Sequence, residues 1–163
     1  MNLSKTLFLL LSCCVLGFAS CDSPIASNST ENSDPVIKVD DSNVEMEKAI
    51  ETAKETFGEF TKRWDTMPND GASVKFGVPT SDDNLEHIWF KPTKITDTEI
   101  TGVCGNDPAK VPGLKLGDTR TFKRTELSDW MILKGTDCYG GYTIRVLAKM
   151  DPDNAPPLNF VDF

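Results

Sequence analysis

The chain has one histidine, His87, in 163 residues. A zinc-protease helix needs two histidines a turn apart, so that chemistry is excluded. Nucleophilic catalysis needs a base beside a Ser or Cys held by a third group, and the linear order sets no nucleophile next to His87. Positive charge is also scarce: 17 Lys and Arg face 25 Asp and Glu, a formal net charge of −8. Nucleic-acid binding draws on clustered cations, so this balance speaks against a nucleic-acid partner. Long apolar runs are missing too. Leu7 to Phe18 is the one sizeable stretch, and it falls short of the ~20 apolar residues that cross a bilayer. There are no internal repeats.

That short run has neighbours that give it a meaning. Lys5 supplies a positive start, Leu7 to Phe18 an apolar centre, and Phe18-Ala19-Ser20 a small-residue exit before Cys21. The arrangement looks like a bacterial lipoprotein signal, in which the cysteine is acylated and becomes the new N-terminus. The alternative is an ordinary secretory peptide cut near Ala19. The expected organisation is a signal over residues 1–20, a lipidated Cys21 with a disordered tether to residue 43, a folded domain over 44–150 and a Pro-rich tail over 151–163. The tether is rich in Ser, Asn, Asp and Thr and poor in apolar residues, so it cannot offset the entropy of ordering. Two or more acyl chains hold a protein on a membrane where one does so only marginally. The expected location is therefore the cell envelope, with the domain outside the cytoplasm and periplasmic if the cell is Gram-negative.

Cysteine arithmetic follows from that reading. Cys13 and Cys14 leave with the signal and Cys21 carries lipid, which leaves Cys104 and Cys138. In an oxidising compartment an even pair suggests a disulfide, worth ~3–4 kcal/mol by the chain-entropy account. The alternative is two separate buried thiols. With His87 they fall short of a tetrahedral metal set, and no metal or cofactor is expected. Without the first 20 residues, whose one charge is Lys5, 143 residues remain with 16 basic and 25 acidic side chains. This acidity serves solubility, or suits a basic envelope partner.

The strongest periodic signal follows the tether. Ser42-Asn43-Val44-Glu45 reads as a capping box. Met46, Ala49, Ile50, Ala53, Phe57, Phe60 and Trp64 then recur every three or four residues, one apolar stripe of a helix that ends at Pro68-Asn69-Asp70-Gly71. Short strands follow: Ser73 to Phe76, Glu86 to Ile95 with Pro92 at an edge or bulge, Glu99 to Cys104, Thr119 to Arg124 and Leu127 to Leu133. Tyr142 to Met150 is either a last strand or a short helix capped by Thr143. The expected fold class is α+β: one long N-terminal amphipathic helix on a small, curved, mainly antiparallel sheet of four to six strands. The tail is expected as a frayed end that packs its aromatics back on the domain, the alternative being a short exposed docking segment.

A set of short motifs in this order is familiar. It comprises Ala49-Ile50 and Phe60, Val74-Lys75-Phe76, Glu86-His87-Ile88-Trp89, Thr101-Gly102-Val103, Asn106-Asp107-Pro108, Gly117-Asp118, Leu127-Ser128-Asp129-Trp130-Met131, and Gly140-Gly141-Tyr142-Thr143-Ile144-Arg145. In order and spacing they resemble the YegJ-like family of bacterial domains, DUF2314, over roughly residues 44–150. The resemblance implies an architecture and no assigned activity.

No catalytic set stands out. The polar positions of most interest are Glu86, His87, Trp89, Asp129, Trp130, Thr143 and Arg145. Asp129 and Arg145 either form a buried bidentate pair that locks the sheet to the last element, or line a ligand cleft with Arg145 ready for a carboxylate or phosphate. Glu86 and His87 are neighbours on a strand and point to opposite faces, so they make no dyad by themselves. Asn106-Asp107-Pro108 and Gly117-Asp118 read as turns. The expected role is a membrane-tethered, non-catalytic binding module with an envelope partner. The alternatives are a small hydrolase with a cleft near Glu86, His87, Asp129 and Arg145, and an immunity-like inhibitor of a toxin or lytic enzyme.

Overall fold

The computed structural model describes residues 44–66 and 71–162. The proposed signal, Cys21, the tether and most of the Pro68 turn lie outside the described residues. Helix α1 is Val44–Thr61 and buries Ala49, Ala53, Phe57 and Phe60, the side its three-and-four spacing predicts. A 3₁₀ turn at Trp64–Thr66 ends it. The strands are β1 (Ala72–Pro79), β2 (Leu85–Ile95), β3 (Glu99–Cys104), β4 (Thr119–Lys123), β5 (Leu127–Lys134) and β6 (Asp137–Gly140). Helix α2 (Tyr142–Met150) and a last strand, β7 (Asn159–Val161), complete the domain.

These elements correct the expected architecture. Instead of one long helix on four to six strands, the described residues form two α-helices, of 18 and nine residues, and a seven-stranded mixed sheet ordered β4-β3-β2-β1-β5-β6-β7. Every pairing is antiparallel except β6 with β7, which is parallel. The two extra strands lay where the pattern is weak: β6 inside a Gly- and Asp-rich turn, and β7 inside the Pro-rich tail. Tyr142–Met150 resolves as a helix, and its preceding cap residue is Gly141, not Thr143. Pro92 sits at a register irregularity between β2 and β3, the kind of bulge position to which strand prolines are confined.

The sheet curls. Phe122 of β4 stacks on Phe76 of β1 with ring centroids 4.2 Å apart, although three strand spacings separate the two, roughly 14 Å in a flat sheet. The concave side holds the core of Val74, Phe76, Ile88, Phe90, Ile100, Leu127 and Ile132, with α1 and residues Val111 and Leu114 packed on it. Trp130 joins the core to α1: its Nε1–H donates to the Ala53 carbonyl at 2.9 Å and its ring lies 5.6 Å from that of Phe60. Fully burying a large apolar side chain contributes about 1.5–3 kcal/mol, so Phe57, Phe60 and Trp130 fasten this layer.

Strand order and facing together separate the cysteines: Cys104 packs in the core, while Cys138 sits against Gly141 before α2. Cys104 is in β3 and Cys138 in β6, four spacings apart, roughly 19 Å along the sheet. A disulfide needs Cα atoms within about 7 Å. Both are buried free thiols, so the expected bridge is overturned. Burial pushes both thiols up, Cys138 to about 11.

Candidate functional site

Alternation along β1 puts Val74, Phe76 and Val78 into the core and turns Lys75 to the other face of the sheet. There its cross-strand partners are Trp89 of β2 and Asp129 of β5. The lysine is only 6% exposed. Its Nζ donates to Thr143 Oγ1 at 2.8 Å and lies 4.8 Å from the centre of the Trp89 ring. The Thr143 hydroxyl donates in turn to Asp129 Oδ2. A buried cation and a buried carboxylate are thus bridged by one hydroxyl.

Asp129 is fully buried and does a second job. It accepts the main-chain N–H groups of Trp130 at 2.8 Å, Tyr142 at 3.1 Å and Thr143 at 2.8 Å. The last two are the first donors of α2, left unpaired by the helix itself. A strand carboxylate therefore caps the helix, and its charge suits the positive end of the helix dipole. The chain reaches this geometry through Gly140, at φ +74°, where a Cβ would run into the Trp130 carbonyl and ring. Burial pushes the Asp129 carboxyl above the ordinary carboxylate range, with the Lys75 charge and the hydrogen bonds opposing. Burial likewise pushes the Lys75 amine below its usual range, with Asp129 opposing.

His87 borders this cluster. Its Nδ1 is 3.2 Å from Ser128 Oγ, and that hydroxyl donates to the Lys75 carbonyl at 3.1 Å. With its proton on a main-chain oxygen and only 4% exposure, Ser128 is oriented as a link between strands, opposite in polarity to a serine activated by a histidine base. Glu86 is elsewhere. Its two oxygens accept the Ala109 and Lys110 N–H groups at 2.8 Å each, pinning the loop after β3. Arg145 is also apart: it donates to the Gly140 and Val161 carbonyls at 3.1 and 2.9 Å and to Asp162 at 3.1 Å. Its guanidinium lies between the Tyr142 and Phe160 rings.

The structure therefore brings together Trp89, Asp129 and Thr143 of the expected cluster, ties His87 to it through Ser128, and points the Trp130 ring into the core. The expected Asp129–Arg145 pair does not form, because Asp129 is spent on α2 and Arg145 on β7. The convergent cleft of Glu86, His87, Asp129 and Arg145 is absent among the described residues for the same reason. Sequence reasoning missed Lys75. The available signal was a lone cation in an apolar strand, matched by a lone acid in Leu127-Ser128-Asp129-Trp130.

A second feature lies across the domain. An open groove of about 850 Å³ lies between Lys54 and Phe57 of α1, Asp97 and Glu99 where β2 turns into β3, and Lys123 and Arg124 at the end of β4. The Arg124 guanidinium sits 4.9 Å from the centre of the Phe57 ring. Among the described residues no three His, Cys, Asp or Glu side chains gather as a metal set, and no helix is long and apolar enough to cross a membrane.

Residues 43–155 match the family described as "Uncharacterized protein conserved in bacteria (DUF2314)". The chain belongs to the DUF2314 family. It is 31% identical over 107 residues to the protein YegJ of Escherichia coli K12, covering 66% of this chain and 69% of that one. It is 28% identical over 113 residues to a putative ankyrin repeat protein of Neisseria meningitidis serogroup B, covering 63% of this chain. It spans 44% of that second relative's length. No solved structure matches. The DUF2314 match contains Lys75, Asp129 and Thr143 and stops before Val161 and Asp162, so the Arg145 clamp on β7 uses partners outside the matched region.

Proposed function

We propose that this DUF2314 chain is a lipid-anchored protein of the bacterial cell envelope whose domain is a non-catalytic binding module. The N-terminal grammar around Cys21 supports the anchor, and membership in a bacterial family accords with it. One observation carries the binding reading. The groups that acid–base chemistry would use, Glu86, Asp129 and Arg145, spend their hydrogen bonds within their own fold, mostly on its main chain. What remains for recognition is the half-buried Trp89 with His87 on one face and the α1 groove on another. The acidic surface steers an envelope protein of opposite charge toward the domain.

The test takes the full chain and its Cys21→Ala variant through membrane fractionation, followed by pull-down from detergent-solubilised envelope. The wild-type chain is expected in the membrane fraction, the variant in the soluble one, and a salt-sensitive partner on the bait. Membrane retention of Cys21→Ala overturns the anchor. Turnover of ester, amide or glycoside substrates that survives purification and vanishes in His87→Ala overturns the non-catalytic reading in favour of the hydrolase.

A further inference from the structure

Strand β7 is held unlike the rest of the sheet. It pairs with β6 in parallel, Asp137 with Asn159, Cys138 with Phe160 and Tyr139 with Val161. Strands β1, β2, β3 and β5 each supply core side chains, whereas none of the described residues beyond Val146 belongs to the buried core. All three residues of β7 keep some exposure. The link that delivers it, residues 151–158, carries Pro152, Pro156 and Pro157 and is largely exposed. Lifting β7 off the edge of the sheet would therefore take no side chain out of the core.

The domain holds a cradle for this strand. Arg145 is set by its own neighbours: its Nε–H donates to the Gly140 carbonyl at 3.1 Å, and its guanidinium lies 5.3 Å from the centre of the Tyr142 ring. The rest of the fork reads the strand, Nη2 donating to the Val161 carbonyl at 2.9 Å and Nη1 to Asp162 Oδ1 at 3.1 Å. A planar, stacked fork loses little freedom in making such bonds. The Phe160 ring lies 5.4 Å from the guanidinium, with a ring carbon 3.6 Å from where a Cβ on Gly141 would stand. At the other end the Asn159 N–H donates to the Thr136 carbonyl at 2.8 Å and its side-chain amide to Asp137 at 2.7 Å. Main-chain bonds for affinity and alternate side chains for specificity are the parts of strand addition to a sheet edge. The DUF2314 match takes in the whole cradle, Thr136 to Arg145, and ends before Asn159. The cradle lies inside the family domain and its occupant outside it.

We propose that the outer edge of β6, with Gly141 and Arg145 beside it, is a strand-addition site for an extended peptide segment, which β7 fills in cis until a partner protein's segment of the same chemistry displaces it. That segment reads polar, aromatic, aliphatic, acidic, as Asn159-Phe160-Val161-Asp162 does. The aromatic ring lies against Arg145 and over Gly141, the aliphatic residue's carbonyl takes one N–H of the fork, and the acid takes the other. A basic residue in the last place would bring like charge to the guanidinium. The short link holds β7 near the site at an effective concentration on the order of millimolar, and an outside segment must outbind that. The inference goes beyond the binding-module reading by adding a recognition surface that the chain itself covers.

Fluorescence anisotropy tests this with the full chain in non-ionic detergent and a labelled peptide of residues 155–162. Phe160→Ser with Asp162→Ala loosens β7 and leaves the cradle as it is. The loosened chain is expected to bind the peptide at least about tenfold more tightly than the wild-type chain, whose own strand competes. Phe160→Ala or Asp162→Asn made in the peptide is expected to weaken binding by about fivefold or more, with the protein unchanged. Arg145→Gln in the loosened chain is expected to do the same, and circular dichroism checks that each variant is folded. Equal binding by the wild-type and loosened chains, or equal binding of a scrambled peptide, overturns the proposal. Unfolding of the loosened chain overturns it too, because β7 is then part of the fold and not an occupant. The membrane fractionation and envelope pull-down depend on neither result, so the two readings fail separately.

Discussion

Replacing Asp129 with Asn keeps the shape of the side chain and removes its charge, which makes it the sharpest probe of how α2 is held. Asp129 accepts four hydrogen bonds, from the N–H groups of Trp130, Tyr142 and Thr143 and from the Thr143 hydroxyl. An amide has one oxygen where the carboxylate has two. Whichever way it turns, its NH₂ faces donors, and at least one loses its acceptor at about 1–3 kcal/mol. Lys75 then stays buried without a facing charge. Two hydrogen bonds through one hydroxyl set the charges about 4.5 Å apart, and at an effective dielectric near 20 their attraction is about 3–4 kcal/mol. Part of that only offsets desolvation, so the net loss on removing one partner is about 3–5 kcal/mol.

Single domains are stable by about 5–15 kcal/mol, so Asp129→Asn should leave a folded but weakened protein. For a domain of this length the melting temperature is expected to fall by about 10–20 °C. Thermal and urea unfolding of the full chain at pH 7, followed by circular dichroism, measure the melting temperature and the free-energy loss. Lys75→Met is the companion change, because methionine fills similar space with no charge. The double variant is expected to lose about 2 kcal/mol less than the two single losses combined, since each charge is a burden only when the other is absent. Additivity within about 0.5 kcal/mol would refute the account, as would an Asp129→Asn loss under about 1 kcal/mol. In the first case the carboxylate acts on α2 alone and Lys75 is a bystander.

The buried thiols predict slow chemistry. With Cys104 and Cys138 reduced and burial pushing Cys138 up to about 11, a disulfide reagent should label neither at pH 8 while the protein is native and both once it is unfolded in urea; a two-hydrogen mass deficit without reductant would show them bridged. The loop before β2 predicts an acid titration. The Thr80 hydroxyl, with help from Lys110 and Asn84, holds Asp82 down to about 2 from its usual 3.8. Because the folded value lies below the unfolded one, the stability this carboxylate adds is present above pH 4 and lost as pH falls through about 2. Thr80→Ala should move its midpoint back toward 3.8 in an NMR titration, and an unmoved midpoint would assign the shift to Lys110.

Legibility in the sequence tracked how a residue's neighbours are specified. Where periodicity along one segment decides burial, as for Ala49, Ala53, Phe57 and Phe60, the spacing was enough. The hairpin of β2 and β3 was readable for the same reason, since Asp97-Thr98 is a local turn between two apolar runs. Strands β6 and β7 were not, because each is short and gains its place from a partner distant in sequence. β7 pairs in parallel with β6 through Asn159, Phe160 and Val161, and the prolines before it advertise a loop. The disulfide expectation failed on the same ground: parity of cysteines is a count, whereas a bridge is a distance, and that distance depends on which strand and which face each thiol occupies.

The site shows the limit most clearly. Alternation in Val74-Lys75-Phe76 says that Lys75 leaves the apolar face, and on an ordinary half-exposed antiparallel sheet that means water. What buries it is the first turn of α2, which arrives from 68 residues downstream and brings Thr143 against its amine. Asp129 is equally ambiguous. A strand acid between Ser128 and Trp130 reads as a lock or a cleft residue until the chain after Gly140 turns its first helical N–H groups toward it. Once that turn is made, the acid must serve the helix, the lysine must balance the acid, and Arg145 is left free to hold β7. The polar cluster is therefore a consequence of where α2 starts, and a chain that lost the positive-φ bend at Gly140 would lose Asp129, Lys75 and Arg145 as partners together.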